Sequence, residues 1–339
     1  MSNYNWITPR VRNQTLLIVE GNHEKNELFG LLFKCFPELN IDIEQVWIYG
    51  TNIYMLYDNL VKEYGVDWYE TEVDLPFVVS KKNEEETKFR TDFTNIILVF
   101  DYERHDPNFS EEKISIMQKY FEDSTDVGRL YINYPMIESY QDLCGWVDND
   151  YANREISVTV QPGAKYKALV KDKMVAFRVN IPQKMKEILL KRFMIMDEEV
   201  CENIVNNILR ISDLEGLTEE LQNILSEFLR GKDLQTAKYQ LKDLIIRMGY
   251  IRENISYWEH MRELFKTIIL HNISKANKIQ GYSYPIDRTE YKQNFERIDF
   301  LEILKRQNEA SADEINGYIW VLSTCVFVIA DFRFTLVVE

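Results

Sequence analysis

Short apolar runs alternate with amphipathic stretches throughout the first half of the chain. The apolar runs are rich in Val, Ile and Leu and stop at glycine or polar residues, which is typical of buried β-strands. The stretches between them place apolar side chains three and four residues apart, as on one face of a helix. Strands are predicted at 15–20, 43–49, 95–100 and 129–133, and helices at 22–36, 52–64 and 110–122. Regular alternation of strand and helix predicts a parallel sheet flanked by helices, an α/β fold.

The pattern changes after residue 150, where helical spacing takes over. Two short apolar segments, 156–160 and 174–180, are predicted to form a β-hairpin arm. Gly231 and Gly249 are expected to end helices, because glycine adopts the left-handed conformation that a helix end requires. Helices are predicted at 183–193, 198–211, 218–230, 234–248 and 254–279, one or two more within 299–330, and a final strand at 333–338.

A chain of 339 residues exceeds the usual size of one hydrophobic core, so more than one domain is expected. We expect a catalytic α/β domain in 1–150, a basic hairpin or linker arm in 151–182, and a helical accessory domain in 183–339. No apolar stretch is long enough to span a membrane, and no secretory signal is visible at the start. The four scattered cysteines fit the reducing cytoplasm.

The net charge of −15 is distributed unevenly along the chain. The first 150 residues carry 28 acidic and 13 basic side chains, whereas the remainder carries 27 of each. Segment 154–192 holds ten Lys and Arg against three acids. Another charged stretch, within 77–91, is expected to be an exposed connection. An acidic module beside a basic segment favours a metal site next to a phosphate-holding surface. The lysines selected as nucleic-acid contacts in this segment are Lys165, Lys167, Lys171 and Lys173.

Acidic residues follow three of the predicted strands. Glu20 follows the first strand, Asp101 and Glu103 follow the most apolar one, and Glu138 comes after the fourth. The carboxyl ends of parallel strands meet at one edge of a sheet, and neighbouring strands lie about 4.8 Å apart. Carboxylate oxygens that converge there suit Mg²⁺ or Mn²⁺, and without a cation they would repel one another. Each acid alone is equally well explained as a polar group that caps a strand end.

Two of these strand ends resemble motifs of the Toprim family, which is shared by topoisomerases, primases and OLD-type nucleases. Residues 16–21 read Leu-Leu-Ile-Val-Glu-Gly, and residues 99–103 read Val-Phe-Asp-Tyr-Glu. The family places a Glu after its first strand and an Asp-x-Asp pair after a later one. Glu20 matches the first position and Asp101 the second, whereas Glu103 replaces the usual second Asp and lengthens that ligand by one methylene.

A third stretch extends the resemblance. Residues 134–138 read Tyr-Pro-Met-Ile-Glu and are similar to the Asn-Pro-x-Phe-Glu stretch of RloB-like and AriB-like Toprim effectors of phage defence. The resemblance covers residues 14–145. It implies a Toprim-like sheet, Mg²⁺-dependent cleavage of RNA such as tRNA, or of DNA, and an ABC-type or OLD-type ATPase as regulatory partner. A homodimer is left open.

The resemblance also implies roles for individual residues. Asp101 and Glu103 would hold the metal, and Glu20 would bind a second ion or accept the proton of the attacking water. Asp106 is an alternative to Glu103 as the second acid of this motif, and Glu24 and Glu138 are second-rank ligands. Lys25 would contact a phosphate.

Other sequence patterns bear on the class of protein and on the remaining candidate residues. His23 and His105 lie in the acidic loops and are candidate proton carriers, although surface histidines are commoner. His271, Ser274, Lys275 and Lys278 share one helix face, which is interpreted as solvated or as a partner contact. The sequence has no CxxC, HExxH or phosphate-binding glycine loop. The alternative to a nuclease is a non-catalytic regulatory or binding subunit on the same fold; a primase is disfavoured because no zinc ribbon is present.

Overall fold

The computed structural model describes residues 14–160, 163–283 and 290–339. The strands are β1 (Thr15–Val19), β2 (Val46–Ile48), β3 (Asn95–Asp101), β4 (Glu122–Asp123), β5 (Gly128–Asn133), β6 (Glu155–Ser157) and β7 (Tyr318–Trp320). The α-helices of the first half are α1 (Gly30–Cys35), α2 (Ile53–Tyr64), α3 (Leu75–Lys82) and α4 (Glu111–Tyr120). A π-helical segment, Glu24–Phe29, leads directly into α1.

The remaining α-helices belong to the second half of the chain. They are α5 (Ala164–Val170), α6 (Met174–Val179), α7 (Ile181–Glu187), α8 (Glu198–Ile208), α9 (Leu217–Ser226), α10 (Gly231–Met248), α11 (Tyr257–Ile279), α12 (Tyr291–Glu296), α13 (Phe300–Ser311), α14 (Phe327–Arg333) and α15 (Thr335–Val338). Within the described residues, none of the helices combines the length and the apolarity needed to cross a lipid bilayer.

Five strands form one sheet in the order β2-β1-β3-β5-β4. The first four of these are parallel, and β4 pairs with β5 in the antiparallel sense at one edge. All residues of β1 and all but the first of β3 are buried, as expected for strands covered on both faces. The predicted α/β class is therefore confirmed: a mostly parallel sheet flanked by helices, followed by a mainly helical region.

The local patterns of the first half placed most elements correctly. The helix predicted over 52–64 begins after Asn52, whose side chain accepts a hydrogen bond from Met55 N at 3.0 Å. Ser110 caps α4 in the same way through Lys113 N. The expected connection over 77–91 was partly wrong, because α3 extends to Lys82. Asp74 caps this helix through Phe77 N, and its apolar residues are buried against the sheet.

The predicted hairpin arm was wrong. Only its first strand forms, as β6, and its partner is β7 from the far end of the chain. The second predicted strand is instead helix α6, in which Val175, Ala176 and Val179 are buried together at helical spacing. Short apolar segments do not distinguish the two structures by pattern alone.

Two further predictions in the second half fail. Residues 333–338, predicted as a final strand, form the end of α14 and helix α15. Leu336 and Val337 are consecutive in α15 and both are buried, so the burial does not alternate as it would in a half-exposed strand. Gly231 begins α10, with a φ of +55°, and does not end the helix before it. Gly249, with a φ of +89°, ends α10 as predicted.

The C-terminal region packs directly against the sheet. Tyr134, just beyond β5, exchanges two backbone hydrogen bonds with Leu322, at 2.8 and 2.9 Å. The hydroxyl of Thr324 donates to Ile132 O at 2.8 Å. Buried side chains from both halves form one continuous hydrophobic cluster. The domain boundaries at 150 and 182 stay a prediction. The pairing of β6 with β7 joins the predicted arm to the C-terminal region.

Lys275 connects the longest helix to the segment that leads into β6. It is fully buried, and its ammonium group donates to the carbonyl oxygens of Tyr151, Ala152 and Arg154 at 2.8, 3.1 and 2.7 Å. The group also lies 5.1 Å from the ring centroid of Trp320. Burial lowers the pKa of Lys275 to about 7. The helix face interpreted from the sequence as solvated is thus an internal support at this position.

We expect Lys275→Met to reduce the free energy of unfolding by about 2–4 kcal/mol, because three carbonyls lose the ammonium group and only those of Tyr151 and Arg154 keep a backbone donor. Urea denaturation followed by circular dichroism measures this change. Lys305→Met, at an exposed position on α13, is the control and should change stability by less than about 0.5 kcal/mol. Equal stability of the two variants would contradict the supporting role of Lys275.

Candidate functional site: an acidic cluster at the strand ends

Acidic side chains gather at the carboxyl edge of the sheet. Glu20 follows β1, and Asp101 is the last residue of the neighbouring strand β3. The backbone amide of Asp101 donates to Glu20 Oε2 at 3.5 Å. The acidic cluster, as the name is used below, consists of Glu20, Glu24, Asp101, Glu103, Asp106 and Glu138.

Glu24 belongs to this cluster because of the turn after β1. Its Oε2 atom accepts a hydrogen bond from the backbone amide of Gly21 at 2.8 Å, and the residue is buried. The chain therefore turns back at the strand end and directs a second carboxylate toward Glu20. The sequence placed Glu24 among the second-rank candidates, and the structure places it beside the leading ones.

Burial and mutual repulsion govern the ionisation of the cluster. Burial, followed by the charges of Glu103 and Glu24, raises the pKa of Glu20 to about 8. Burial, together with the charges of Glu20 and Glu24, raises the pKa of Asp101 well above its ordinary value. Burial and Asp106 also raise the pKa of Glu103. The cluster therefore favours either bound protons or a bound cation.

Glu103 is held in an unusual backbone conformation. Its φ of +44° lies in the left-handed region, which costs a residue with a Cβ roughly 1–2 kcal/mol. Asn52 donates to Glu103 Oε2 at 3.4 Å and to Asp106 Oδ2 at 2.7 Å. Asn52 thus holds two acids of the cluster as well as capping α2. From the sequence it was predicted only as a helix start, yet its position after the second strand put it at the same edge of the sheet.

Tyr102 lies between Asp101 and Glu103 and anchors this strand end to the C-terminal region. The hydroxyl of Tyr102 donates to Asn308 Oδ1 at 2.6 Å and lies 3.0 Å from Ser311 Oγ, both on α13. The hydroxyl of Tyr54 donates to the carbonyl of Tyr102 at 2.8 Å. No local sequence signal identifies Asn308 or Ser311, because their partner is distant along the chain.

Glu138 is the one acid of the cluster that has two basic neighbours. It is buried, and its Oε1 atom lies 2.8 Å from Lys167 Nζ and 3.3 Å from His23 Nε2. Burial opposes the charge of His23, but its hydrogen bond to Glu27 and the charge of Glu138 raise its pKa overall. Burial likewise opposes the charge of Lys167, whose pKa the bond to Glu138 raises. Glu138 therefore lies between two basic side chains.

The other lysines selected from the sequence lie in different environments. The ammonium of Lys25 donates to Val46 O at 2.7 Å, and that of Lys173 lies 3.3 Å from Asp142. Lys165 and Lys171 are exposed. Of the selected lysines, Lys167 is the one that the structure brings to the acidic cluster. Their contact with nucleic acid stays a prediction.

The donor chemistry of the cluster fits Mg²⁺ or Mn²⁺. Both ions prefer carboxylate oxygens, and Asp101 Oδ1 is buried without a hydrogen-bond partner among the described residues. Within the same part of the chain, no three His, Cys, Asp or Glu side chains are already arranged to hold a metal ion. Glu24 and Glu103 are instead bonded to Gly21 and Asn52. Metal binding therefore requires these side chains to turn toward Asp101.

We expect the metal-free protein to lose stability as the pH rises. Glu20 has an ordinary pKa of 4.5 and a pKa of about 8 in the folded protein. Between these values the folded state binds more protons than the unfolded state, so the free energy of unfolding decreases with increasing pH. Between about pH 5 and pH 8 in EDTA the decrease should reach roughly 1–3 kcal/mol. Thermal or urea unfolding at several pH values measures it.

The matched variants for this measurement are Glu20→Gln and Glu70→Gln. The first removes the titrating group from the cluster and should flatten the pH dependence. The second changes an exposed acid and should keep the slope of the unmodified protein. Identical slopes in all three proteins would show that the acids do not repel one another as the geometry indicates.

Comparison of the chain with protein-family models, with curated proteins and with solved structures finds no significant match. The resemblance of the short motifs to Toprim proteins therefore stays an expectation. The function has to be argued from the acidic cluster and its surroundings.

Proposed function

We propose that the chain is a metal-dependent phosphodiesterase, a Toprim-like endonuclease that cleaves nucleic acid with Mg²⁺ or Mn²⁺. One observation carries the proposal: at the ends of two neighbouring parallel strands the half-buried Glu20 and the buried Asp101 repel one another, and Asp101 Oδ1 lacks a hydrogen-bond partner among the described residues. Such an arrangement is unfavourable to folding and is relieved by a cation. Strained, electrostatically frustrated groups of this kind are concentrated at functional sites.

The residues of the acidic cluster would have different roles in metal binding and proton transfer. Asp101, Glu103 and Glu20 supply the metal ligands, with Glu24 within reach of the same position. A bound metal supplies charge for the scissile phosphate and acidifies an attacking water. Glu20 would bind the metal or a second ion, or would accept the proton of that water once a cation keeps its carboxylate charged.

Glu138 and its neighbours Lys167 and His23 would position the substrate and water. Lys167 and His23 contact this carboxylate and would orient it as a group that positions ligands and water. The ammonium of Lys167 is half-exposed beside the cluster, so a phosphate oxygen can approach it. The positive charge of this ammonium group would stabilise the negative charge that develops on phosphate during cleavage.

The biological setting rests on the motif resemblance. Residues 16–21, 99–103 and 134–138 support the role of a toxic effector in antiviral defence, acting on RNA such as tRNA or on DNA. A regulatory ATPase of the ABC or OLD type is the partner in this proposal.

The second candidate is a non-catalytic regulatory or binding subunit. It is favoured by the position of Glu138 between Lys167 and His23, which gives one acid two basic neighbours without a metal. It is also favoured by the rotation of Glu24 and Glu103 toward protein donors. The two candidates differ in whether substitution of the unpaired acid Asp101 changes any activity.

We expect Asp101→Asn and Glu20→Gln to reduce cleavage of nucleic acid by at least about 100-fold, because each removes a charge that the metal and the transition state need. Purified full-length protein is incubated with total tRNA, single-stranded DNA and plasmid, in Mg²⁺ or Mn²⁺. Gel electrophoresis of the products gives the rates.

Glu70→Gln is the control, since it removes an exposed acid outside the cluster and should cleave at the unmodified rate. Circular dichroism establishes that each variant is folded. If Asp101→Asn retains full cleavage, or if the unmodified protein cleaves none of the substrates with either metal, the nuclease proposal is rejected in favour of the binding subunit.

A further inference from the structure

A groove of about 810 Å³ runs along the side of the helix that follows β1. One wall is formed by the π-helical segment and α1, and the other by the start of α7, by α8 and by the first turn of α11. This lateral groove is defined by six of its lining residues: Glu27, Gly30, Lys34, Asn180, Asn206 and Trp258.

The lateral groove begins beside the acidic cluster. Glu27 lines it, and Glu27 Oε2 is 2.9 Å from Nδ1 of His23, whose Nε2 is 3.3 Å from Glu138 Oε1. Glu27, Gly30 and Lys34 all line the groove, so its wall starts at the residue that contacts His23. A strand with one phosphate at the cluster would therefore have the groove beside it.

The lining favours a planar, uncharged and polar ligand. Trp258 is half-buried and supplies the aromatic part of the lining, and Lys34 Nζ lies 5.4 Å from the centroid of its ring. Asn26, Gln183 and Asn206 line the groove, and among the described residues the structure shows no hydrogen bond from these three carboxamides. Carboxamides donate and accept at the edges of nucleobases, and aromatic rings stack on base faces.

The charges in the groove argue against a phosphate there. Its two lysines are already paired: Lys34 lies 3.7 Å from Glu202, and Lys186 lies 3.0 Å from Glu198. Glu27 and Asp42 add negative charge to the lining. A phosphate or an acidic peptide within the groove would meet net repulsion, whereas a neutral base would not, so the phosphates of a bound strand must stay outside the groove.

We propose that the lateral groove binds unpaired nucleobases of the strand whose phosphate lies at the acidic cluster. This inference rests on the proposed nuclease function and names its substrate class: single-stranded nucleic acid, or an unpaired loop. A continuous duplex is excluded as a ligand of the groove, because its bases are stacked and their edges are paired.

Gly30 provides a test that leaves the fold intact. It is helical, with a φ of −59°, and a Cβ atom there would lie 3.5 Å from Lys25 O and 4.0 Å from Ile43 Cδ1, both ordinary contacts. Gly30→Leu places a branched side chain in the groove, and Gly30→Ala is the matched control with a single methyl group. Gln183→Glu is a second test, because it adds a negative charge at an exposed position in the groove.

The measurement is fluorescence anisotropy of labelled oligonucleotides with the full-length protein in EDTA, so that binding is independent of cleavage. The probes are single-stranded DNA and RNA of about eight nucleotides, the same strands with abasic positions, and a duplex. We expect Gly30→Leu and Gln183→Glu to weaken single-strand binding at least about tenfold relative to Gly30→Ala. The abasic strands should bind all proteins equally weakly.

Equal single-strand affinity of Gly30→Leu and Gly30→Ala overturns the inference, as does a preference for the duplex. Absence of any oligonucleotide binding also overturns it and leaves the groove to another ligand, such as a peptide. The proposed function fails separately: if single strands bind in the expected way but no substrate is cleaved with Mg²⁺ or Mn²⁺, the groove inference stands and the nuclease proposal does not.

Discussion

The repulsion between buried carboxylates at the carboxyl edge of the parallel sheet is the constraint on which the rest of the structure depends. Glu20 and Asp101 belong to neighbouring strands, and the backbone hydrogen bonds between β1 and β3 prevent them from separating. Their charges are therefore tolerated only with bound protons, a cation or opposing charges nearby. The surrounding groups supply part of that compensation: backbone and carboxamide donors for Glu24 and Glu103, and two basic side chains for Glu138.

Much of this compensation comes from distant parts of the chain. Lys167, which contacts Glu138, lies outside the sheet. Asn308 of α13 accepts a hydrogen bond from Tyr102, the residue between Asp101 and Glu103. The C-terminal region is thus a supporting shell for the strand ends as well as a set of packed helices. This explains why the residues after 150 carry no motif of their own that is recognisable locally.

The fold and the site were predictable from the sequence to different degrees. The strands and the position of Glu20 and Asp101 followed from local apolar runs and from the geometry of parallel sheets. The pairing of β6 with β7 did not, because a three-residue strand contains no information about a partner so far along the chain. Asn52 was within reach of sequence reasoning, since it follows a strand end, whereas Asn308 and Ser311 were not. The helix α6 was missed because its apolar residues fit both periods over so short a length.

The backbone pairing of Tyr134 with Leu322 has a consequence for biosynthesis. While the chain is being made, the ribosome releases the whole sheet long before the segment that completes its edge. The nascent N-terminal half thus exposes the acids without α13 behind Tyr102 and without Leu322 beside β5. A chain that ends before α13 therefore lacks the contacts that hold Tyr102 and the end of β5, and its acids do not have the surroundings of the finished protein.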